Sequence, residues 1–87
     1  MHVKKIVFDK LESEKDFYTQ LVKQEKLKGF GNNLDALFDS LTADIEGPVE
    51  LVFKNSSSYI AKEHFKRIKA VIEEASDSRD DLHVTYE

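Results

Sequence analysis

The sequence predicts a two-layer α/β domain in which a three-stranded parallel sheet carries its helices packed on one face. Three short runs rich in β-branched and aromatic residues are separated by stretches with helical spacing of apolar residues, in the order β-α-α-β-α-β. Strands separated by helices pair in parallel, and right-handed crossovers between strands in chain order place all helices on the same face. Polar residues inside the strands indicate a partly solvated opposite face: Lys5, Glu50, His83 and Thr85.

The first strand is predicted at Val3 to Phe8, and the first helix at about Glu14 to Lys26. Ser13 and Asp16 match a capping box in which Asp takes the position of the usual Glu. The helix has one apolar side, formed by Phe17, Tyr18, Leu21 and Val22. Gly29 and Gly31 then interrupt the chain.

The second helix is predicted to begin near Asn33, because asparagine is a favoured N-cap residue. Its apolar residues recur at i, i+3, i+4 and i+7 and form one stripe: Leu34, Leu37, Phe38, Leu41 and Ile45. Gly47 and Pro48 follow this stripe and end the helical segment.

The second strand is predicted at Val49 to Phe53, a turn at Asn55 to Ser58, and the third helix at about Tyr59 to Ser76. One wide face of this helix is apolar: Ile60, Phe65, Ile68, Val71, Ile72 and Ala75. Leu82 to Tyr86 alternates apolar and polar residues and forms the last strand. The chain shows neither repeat nor linker, so we expect one domain over residues 1–87.

The composition limits the chemistry that the chain can carry. Without cysteine there is neither a disulfide framework nor a thiolate metal site, which fits a reducing compartment. The apolar run near the first residue is too short for a signal peptide or a membrane span. We therefore expect a cytoplasmic protein without membrane contact.

The acidic residues are concentrated in two windows, within a chain of net charge −4. Residues 29–53 contain five acids and no Lys or Arg, and residues 73–81 contain five acids with Arg79 as the single cation. If the fold brings the two windows together, they form a negative surface that suits a cationic partner. Direct nucleic-acid binding is disfavoured, because phosphate contacts require a basic patch.

No catalytic or nucleotide-binding motif is found. His2 falls at the terminus, His64 is expected to be a hydrogen-bonded histidine in or beside the core, and His83 is expected at the surface. None of them stands in a short motif with a nucleophile and an orienting group. Gly29-Phe-Gly31 begins like a dinucleotide fingerprint, but Leu34 occupies the third glycine position and the glycines follow a helix.

A metal site and a cofactor site are likewise not predicted. Asp35, Asp39, Asp44 and Glu46 could supply oxygen ligands, but they lack EF-hand spacing and no histidine accompanies them. An acidic edge in contact with solvent is the simpler interpretation.

Asp39 is the least explained of these acids. Asp35, in the first helical turn, complements the helix dipole. Asp39 follows one turn later, where a like charge at i+4 costs an isolated helix about 0.2–0.5 kcal/mol. Acids on exposed helix faces are common, so the residues alone leave a solvated face and a binding surface equally open.

The segment Gly31-Asn-Asn33-Leu-Asp35-Ala-Leu-Phe38-Asp39-Ser-Leu41-Thr, with Pro48 and an apolar strand after it, resembles the barstar family of ribonuclease inhibitors. That family's segment reads Y-G-x-N-L-D-A-L-W-D-x-L-T. The match is dense over residues 30–53, and the rest of the chain agrees in element order. The resemblance implies a barstar-like fold and no enzymatic activity. It also implies an immunity function, in which the protein binds a basic, toxin-type microbial ribonuclease one to one and occludes its active site.

The resemblance also implies a partner-binding surface on the second helix and the loop after it. Asp39 matches the position whose carboxylate takes the place of the RNA phosphate. The other residues of the predicted surface are Asn33, Leu34, Asp35, Phe38, Thr42, Asp44, Glu46 and Glu74. No cofactor is implied, and the free protein is expected to be a monomer.

Three departures from the family pattern concern aromatic positions. Gly29 stands where the family has an aromatic residue, Phe38 replaces its Trp, and Ala43-Asp44 replaces a small-Trp pair. The family's second acid on the last helix could correspond to Asp77 or Ser78. Aromatic residues are frequent hot spots of interfaces. A different cognate nuclease, or a barstar-like module for another basic partner such as a regulator or a non-nuclease toxin, therefore stays open. A small enzyme or nucleotide binder is the remaining alternative.

Overall fold

A computed structural model describes residues 3–27 and 29–87. The chain forms β1 (Lys4–Phe8), α1 (Glu14–Glu25), α2 (Leu34–Asp39), a π-helical turn (Ser40–Asp44), β2 (Val49–Phe53), a 3-10 turn (Ser56–Ser58), α3 (Glu63–Ser78) and β3 (Leu82–Tyr86). His2, expected at the terminus, lies outside the described residues. Within those residues, no helix combines the length and the apolar character that a bilayer span requires.

The three strands form one parallel sheet in the order β1-β2-β3, which confirms the predicted fold class. In register, Ile6 pairs with Leu51 and Phe8 pairs with Phe53. These four side chains are fully buried because this face of the sheet packs against the helices. Helix α1 contacts β1, and α3 contacts both β3 and α2.

The other face of the sheet contacts solvent, as the polar strand residues predicted. Lys5, Glu50 and His83 lie side by side across the three strands, because the register pairs Lys5 with Glu50 and Glu50 with His83. Lys5 and His83 are exposed. The Glu50 carboxylate accepts a hydrogen bond from Thr85 Oγ1 and lies 3.9 Å from Lys5 Nζ. The Glu50 carboxylate is therefore engaged in contacts within the sheet.

The start of α3 differs from the prediction. The helix begins at Glu63 and not at Tyr59, because the residues before it form tighter turns, in which Tyr59 N donates to Ser56 O and Lys62 N donates to Tyr59 O, each at 3.0 Å. Tyr59 is instead a buried core residue whose hydroxyl donates to Lys54 O at 2.9 Å. Ile60, predicted on the apolar face of this helix, precedes it.

The cap of α1 is a variant of the predicted capping box. Ser13 Oγ accepts a hydrogen bond from Asp16 N at 3.1 Å, as the motif requires. Asp16 Oδ2 accepts from Glu12 N and not from Ser13 N, also at 3.1 Å. The helix ends at Glu25, because Lys26 adopts a left-handed conformation with φ of 52°.

The prediction for His64 is wrong in one respect. The residue lies half-buried in the first turn of α3, near the edge of the core. Its Nε2 atom is buried, however, and has no hydrogen-bond partner among the described residues. His83 is exposed, as predicted.

Candidate functional site

Helix α2 begins where the sequence predicted, because Asn33 caps it. The Asn33 side chain accepts a hydrogen bond from Ala36 N at 2.8 Å and donates one from Nδ2 to Gly31 O at 3.1 Å. The first bond satisfies one of the amides that a helix start leaves unpaired. The second ties the helix to the preceding glycine segment, so the Asn33 amide stabilises the local backbone.

The second half of the predicted helix is a π-helical turn. The α-helical part ends at Asp39, and Ile45 N donates to Ser40 O at 2.9 Å, a bond that spans five residues. Thr42 Oγ1 donates to Phe38 O at 2.8 Å, so the hydroxyl proton of Thr42 is used within the helix. Single π-helical turns occur frequently at functional sites.

Helix α2 and the π-helical turn are held to the core by the predicted apolar stripe. Leu37 and Leu41 are fully buried and Ile45 is nearly so. Leu34 and Phe38, in the same stripe, are only half-buried and pack at the edge of the core. The outer edge of the stripe therefore stays accessible beside the helix.

A groove of about 430 Å³ runs between α2 and α3. It is lined by Leu34, Asp35, Phe38, Asp39, Val71 and Glu74. Five of the nine residues predicted to bind a partner thus share one depression. Val71 was predicted only as part of the apolar face of α3, and its half-buried position in the groove depends on how the two helices pack.

A second hollow, of about 210 Å³, lies beside α2 at the glycine segment. Asp39, Ser40 and Asp44 line it together with Leu27, Gly29, Phe30, Gly31 and Ala36. A Cβ atom on Gly29 would find no other atom within 4 Å, so the missing side chain leaves open space there. Asp39 lines both the groove and this hollow and therefore stands between them.

The carboxylates beside the groove and the hollow are exposed. Among residues 3–27 and 29–87, no Lys or Arg forms an ion pair with Asp35, Asp39 or Asp44. Asp39 therefore points neither into the core nor toward a described cation.

A family model described as Barstar (barnase inhibitor) matches residues 1–87, the whole chain. The chain belongs to the barstar family. No curated protein matches it in a direct sequence comparison. Because the family is one of inhibitors, membership indicates a barnase-inhibitor-like role in which the protein binds a ribonuclease, and it agrees with a non-enzymatic function.

The acids of the two windows in this barstar-family protein do not all lie beside the groove. Glu50 lies on the solvent face of the sheet, Glu73 is 3.7 Å from Lys69, and Asp81 accepts a hydrogen bond from Arg79 at 2.9 Å. The other seven are exposed: Asp35, Asp39, Asp44, Glu46, Glu74, Asp77 and Asp80. The position of an acid within the two windows could not show which three form ion pairs or hydrogen bonds with other described side chains and which seven do not.

The remaining predicted residues line neither depression. Glu46 is exposed in the loop before β2, Asn33 is exposed at its cap, and Thr42 is half-buried. In the described part of this barstar-family chain, no group of three or more His, Asp or Glu side chains is arranged to hold a metal ion.

Proposed function

We propose that this protein inhibits a basic, toxin-type microbial ribonuclease by inserting α2 and the following loop into its active site. The observation that carries the proposal is the position of Asp39, an exposed carboxylate between two depressions and without a described cationic partner. A ribonuclease gathers cationic side chains around the phosphate that it cleaves. A carboxylate in that place accepts the same charge-assisted hydrogen bonds.

The rigid attachment of α2 supports this function. Buried Leu37, Leu41 and Ile45 fix the helix against the core, so little conformational freedom is lost when a partner binds. The Asn33 cap fixes its first turn. The Asp39 carboxylate is thus presented from a preorganised element.

The groove between α2 and α3 has the composition of a protein interface. Half-buried Leu34, Phe38 and Val71 provide apolar area, and Asp35 and Glu74 provide charged neighbours. Interfaces combine an apolar centre with a polar rim in this way. We propose that the groove receives the nuclease surface next to its catalytic cleft.

The exposed acids assist the encounter. With net charge −4, and with Asp44 and Glu46 exposed after α2, the protein attracts a basic partner from solution. We further propose a single domain over residues 1–87, a monomeric free state, one inhibitor per nuclease, and a cytoplasmic immunity role that protects the producing cell.

An RNA-cleavage assay tests the proposal. The purified protein is titrated against basic microbial ribonucleases, barnase among them, and at least one should lose activity at a one-to-one ratio. Asp39→Ala should raise the inhibition constant by about 30-fold or more. Glu12→Ala, which removes an exposed charge remote in sequence from α2, should inhibit like the unchanged protein. An inhibition constant that Asp39→Ala leaves unchanged, or no inhibition of any ribonuclease, would contradict the proposal.

The hollow at Gly29 favours one alternative, a basic partner that is not a ribonuclease. The hollow includes Gly29, which stands at an aromatic position of the family pattern, so we expect the complementary partner surface to have a different shape there. Capture of the native partner followed by an assay of its nuclease activity separates the two functions. A captured partner that lacks nuclease activity would select the alternative.

A further inference from the structure

The guanidinium of Arg79 is directed inward beneath the π-helical turn. Its Nη1 atom donates hydrogen bonds to Leu41 O at 2.6 Å and to Ile45 O at 2.8 Å. Its Nε atom donates to Asp81 Oδ1 at 2.9 Å. The side chain is only 13% exposed, so the single cation of residues 73–81 is hardly accessible to a partner.

These bonds satisfy carbonyl groups that the helical segment leaves without helical partners. The last carbonyls of a helix need hydrogen-bond donors from outside the helix, because no following turn supplies backbone amides for them. Arg79 donates hydrogen bonds to two carbonyls that lie four residues apart, those of Leu41 and Ile45. The segment from Leu41 to Ile45 is thereby tied to Arg79 at two points.

Asp81 connects this arrangement to the sheet. Its backbone carbonyl accepts a hydrogen bond from Val49 N at 2.8 Å, at the start of β2. Arg79 lowers the pKa of the Asp81 carboxyl, mainly through their side-chain hydrogen bond. The loop, Arg79, Asp81 and the central strand therefore form one continuous chain of hydrogen bonds.

Gly47 allows the close approach. A Cβ atom at this position would overlap the Asp81 carboxylate and would lie 2.5 Å from Arg79 Nη2. The backbone of the loop thus passes directly against the Arg79–Asp81 pair, and only glycine leaves room for it.

We propose that Arg79 is the positioning residue of the inhibitory loop, residues 40–46. It holds Asp44 beside Asp39, and it slows dissociation of the bound ribonuclease without contacting that enzyme. The part about dissociation rests on the proposed function, whereas the part about loop order does not. The Asp81 carboxylate, 2.9 Å from Arg79 Nε, offsets the charge of this guanidinium.

Hydrogen exchange in the free protein tests the first part. Arg79→Met keeps the length of the side chain and removes its donors. Arg67→Met removes the same charge from an exposed position on α3 and serves as the matched control. The Ile45 amide, which donates to Ser40 O, should exchange about tenfold faster in Arg79→Met, with Leu51 in β2 unchanged. Unchanged exchange at Ile45 would overturn the proposal.

Binding kinetics test the second part with the ribonuclease that the cleavage assay identifies. Arg79→Met should raise the dissociation rate about tenfold and leave the association rate nearly unchanged, because the loss acts through loop order. Arg79→Lys, which keeps the charge and one or two donors, should fall between Arg79→Met and the unchanged protein. It also serves as the test variant for both measurements if Arg79→Met does not fold. If an Arg79 variant folds and its dissociation rate is unchanged, the positioning role is overturned, even where the variant is less stable to unfolding.

The two failures are distinguishable. If the unchanged protein binds no ribonuclease, the proposed function fails. The Ile45 exchange rate still decides whether Arg79 orders the loop.

Discussion

Asp39→Ala is expected to impair binding strongly and to leave folding intact. The Asp39 side chain is exposed and forms no ion pair with the described residues, so its removal breaks no internal contact known from the structure. Loss of the Asp35–Asp39 repulsion returns about 0.2–0.5 kcal/mol, and alanine adds some helix propensity. The free energy of unfolding should therefore rise by about 0.5 kcal/mol.

The expected loss in binding is much larger. Truncating one side of a desolvated charge pair in an interface costs about 2–5 kcal/mol, which corresponds to roughly 30- to 4,000-fold in Kd. Most of this should be a faster dissociation, since the cationic groups of the nuclease would stay buried without a partner.

Two assays on the same samples separate the effects. Urea denaturation measures the free energy of unfolding, and surface plasmon resonance measures both rates with the inhibited ribonuclease. Asp39→Asn, which keeps the shape and removes the charge, should behave like Asp39→Ala if charge is the cause. Glu12→Ala should change neither dissociation nor stability appreciably. A loss of more than about 2 kcal/mol in stability with unchanged dissociation would refute the reasoning, because it would assign Asp39 to the fold.

Burial raises the pKa of Tyr59 and of Tyr86 to about 12, and it also raises that of Tyr18, so an ultraviolet absorbance titration should show little tyrosinate at pH 10. Because the fold favours the neutral phenols, their contribution to the free energy of unfolding is complete below pH 10 and is lost as the pH rises toward 12. Ordinary tyrosine ionisation near pH 10 in the folded protein would contradict this prediction. The lowered pKa of Asp81 contributes stability that is present above its ordinary value of 3.8 and is lost as the pH falls through the folded value. NMR titration should find that Arg79→Met returns this pKa toward 3.8, and no change would exclude Arg79 as the cause. Phe65→Ala should cost about 3–5 kcal/mol in urea denaturation, since the ring is fully buried; a cost below about 1 kcal/mol would contradict its place in the core.

Elements whose signals are local could be predicted from the sequence. The Asn33 cap depends on a hydrogen bond from the backbone amide three residues later in the chain. The strands Val49–Phe53 and Leu82–Tyr86 have the predicted bounds, because periodicity and turn residues define them. The parallel order followed from helices between strands. The family resemblance rested on the same local segment and is confirmed by the match over the whole chain.

Features that depend on tertiary contacts could not be predicted. The π-helical turn is tied by Arg79, which lies 38 residues after Leu41, and nothing in residues 40–44 indicates that partner. Tyr59 was predicted to begin the third helix, yet its hydroxyl donates a hydrogen bond to Lys54 O and its ring lies in the core before the helix begins. Val71 became a groove residue only through the packing of α2 against α3.

Competition at the nuclease active site tests the central claim most directly. A nucleotide that carries a phosphate is bound to the ribonuclease, and calorimetry then measures the affinity of the inhibitor at increasing nucleotide concentration. If the Asp39 carboxylate takes the place of the phosphate, the apparent Kd should rise linearly with the free nucleotide concentration, without reaching a plateau, and no ternary complex should form. A ternary complex of nuclease, nucleotide and inhibitor, with undiminished affinity, would contradict the account.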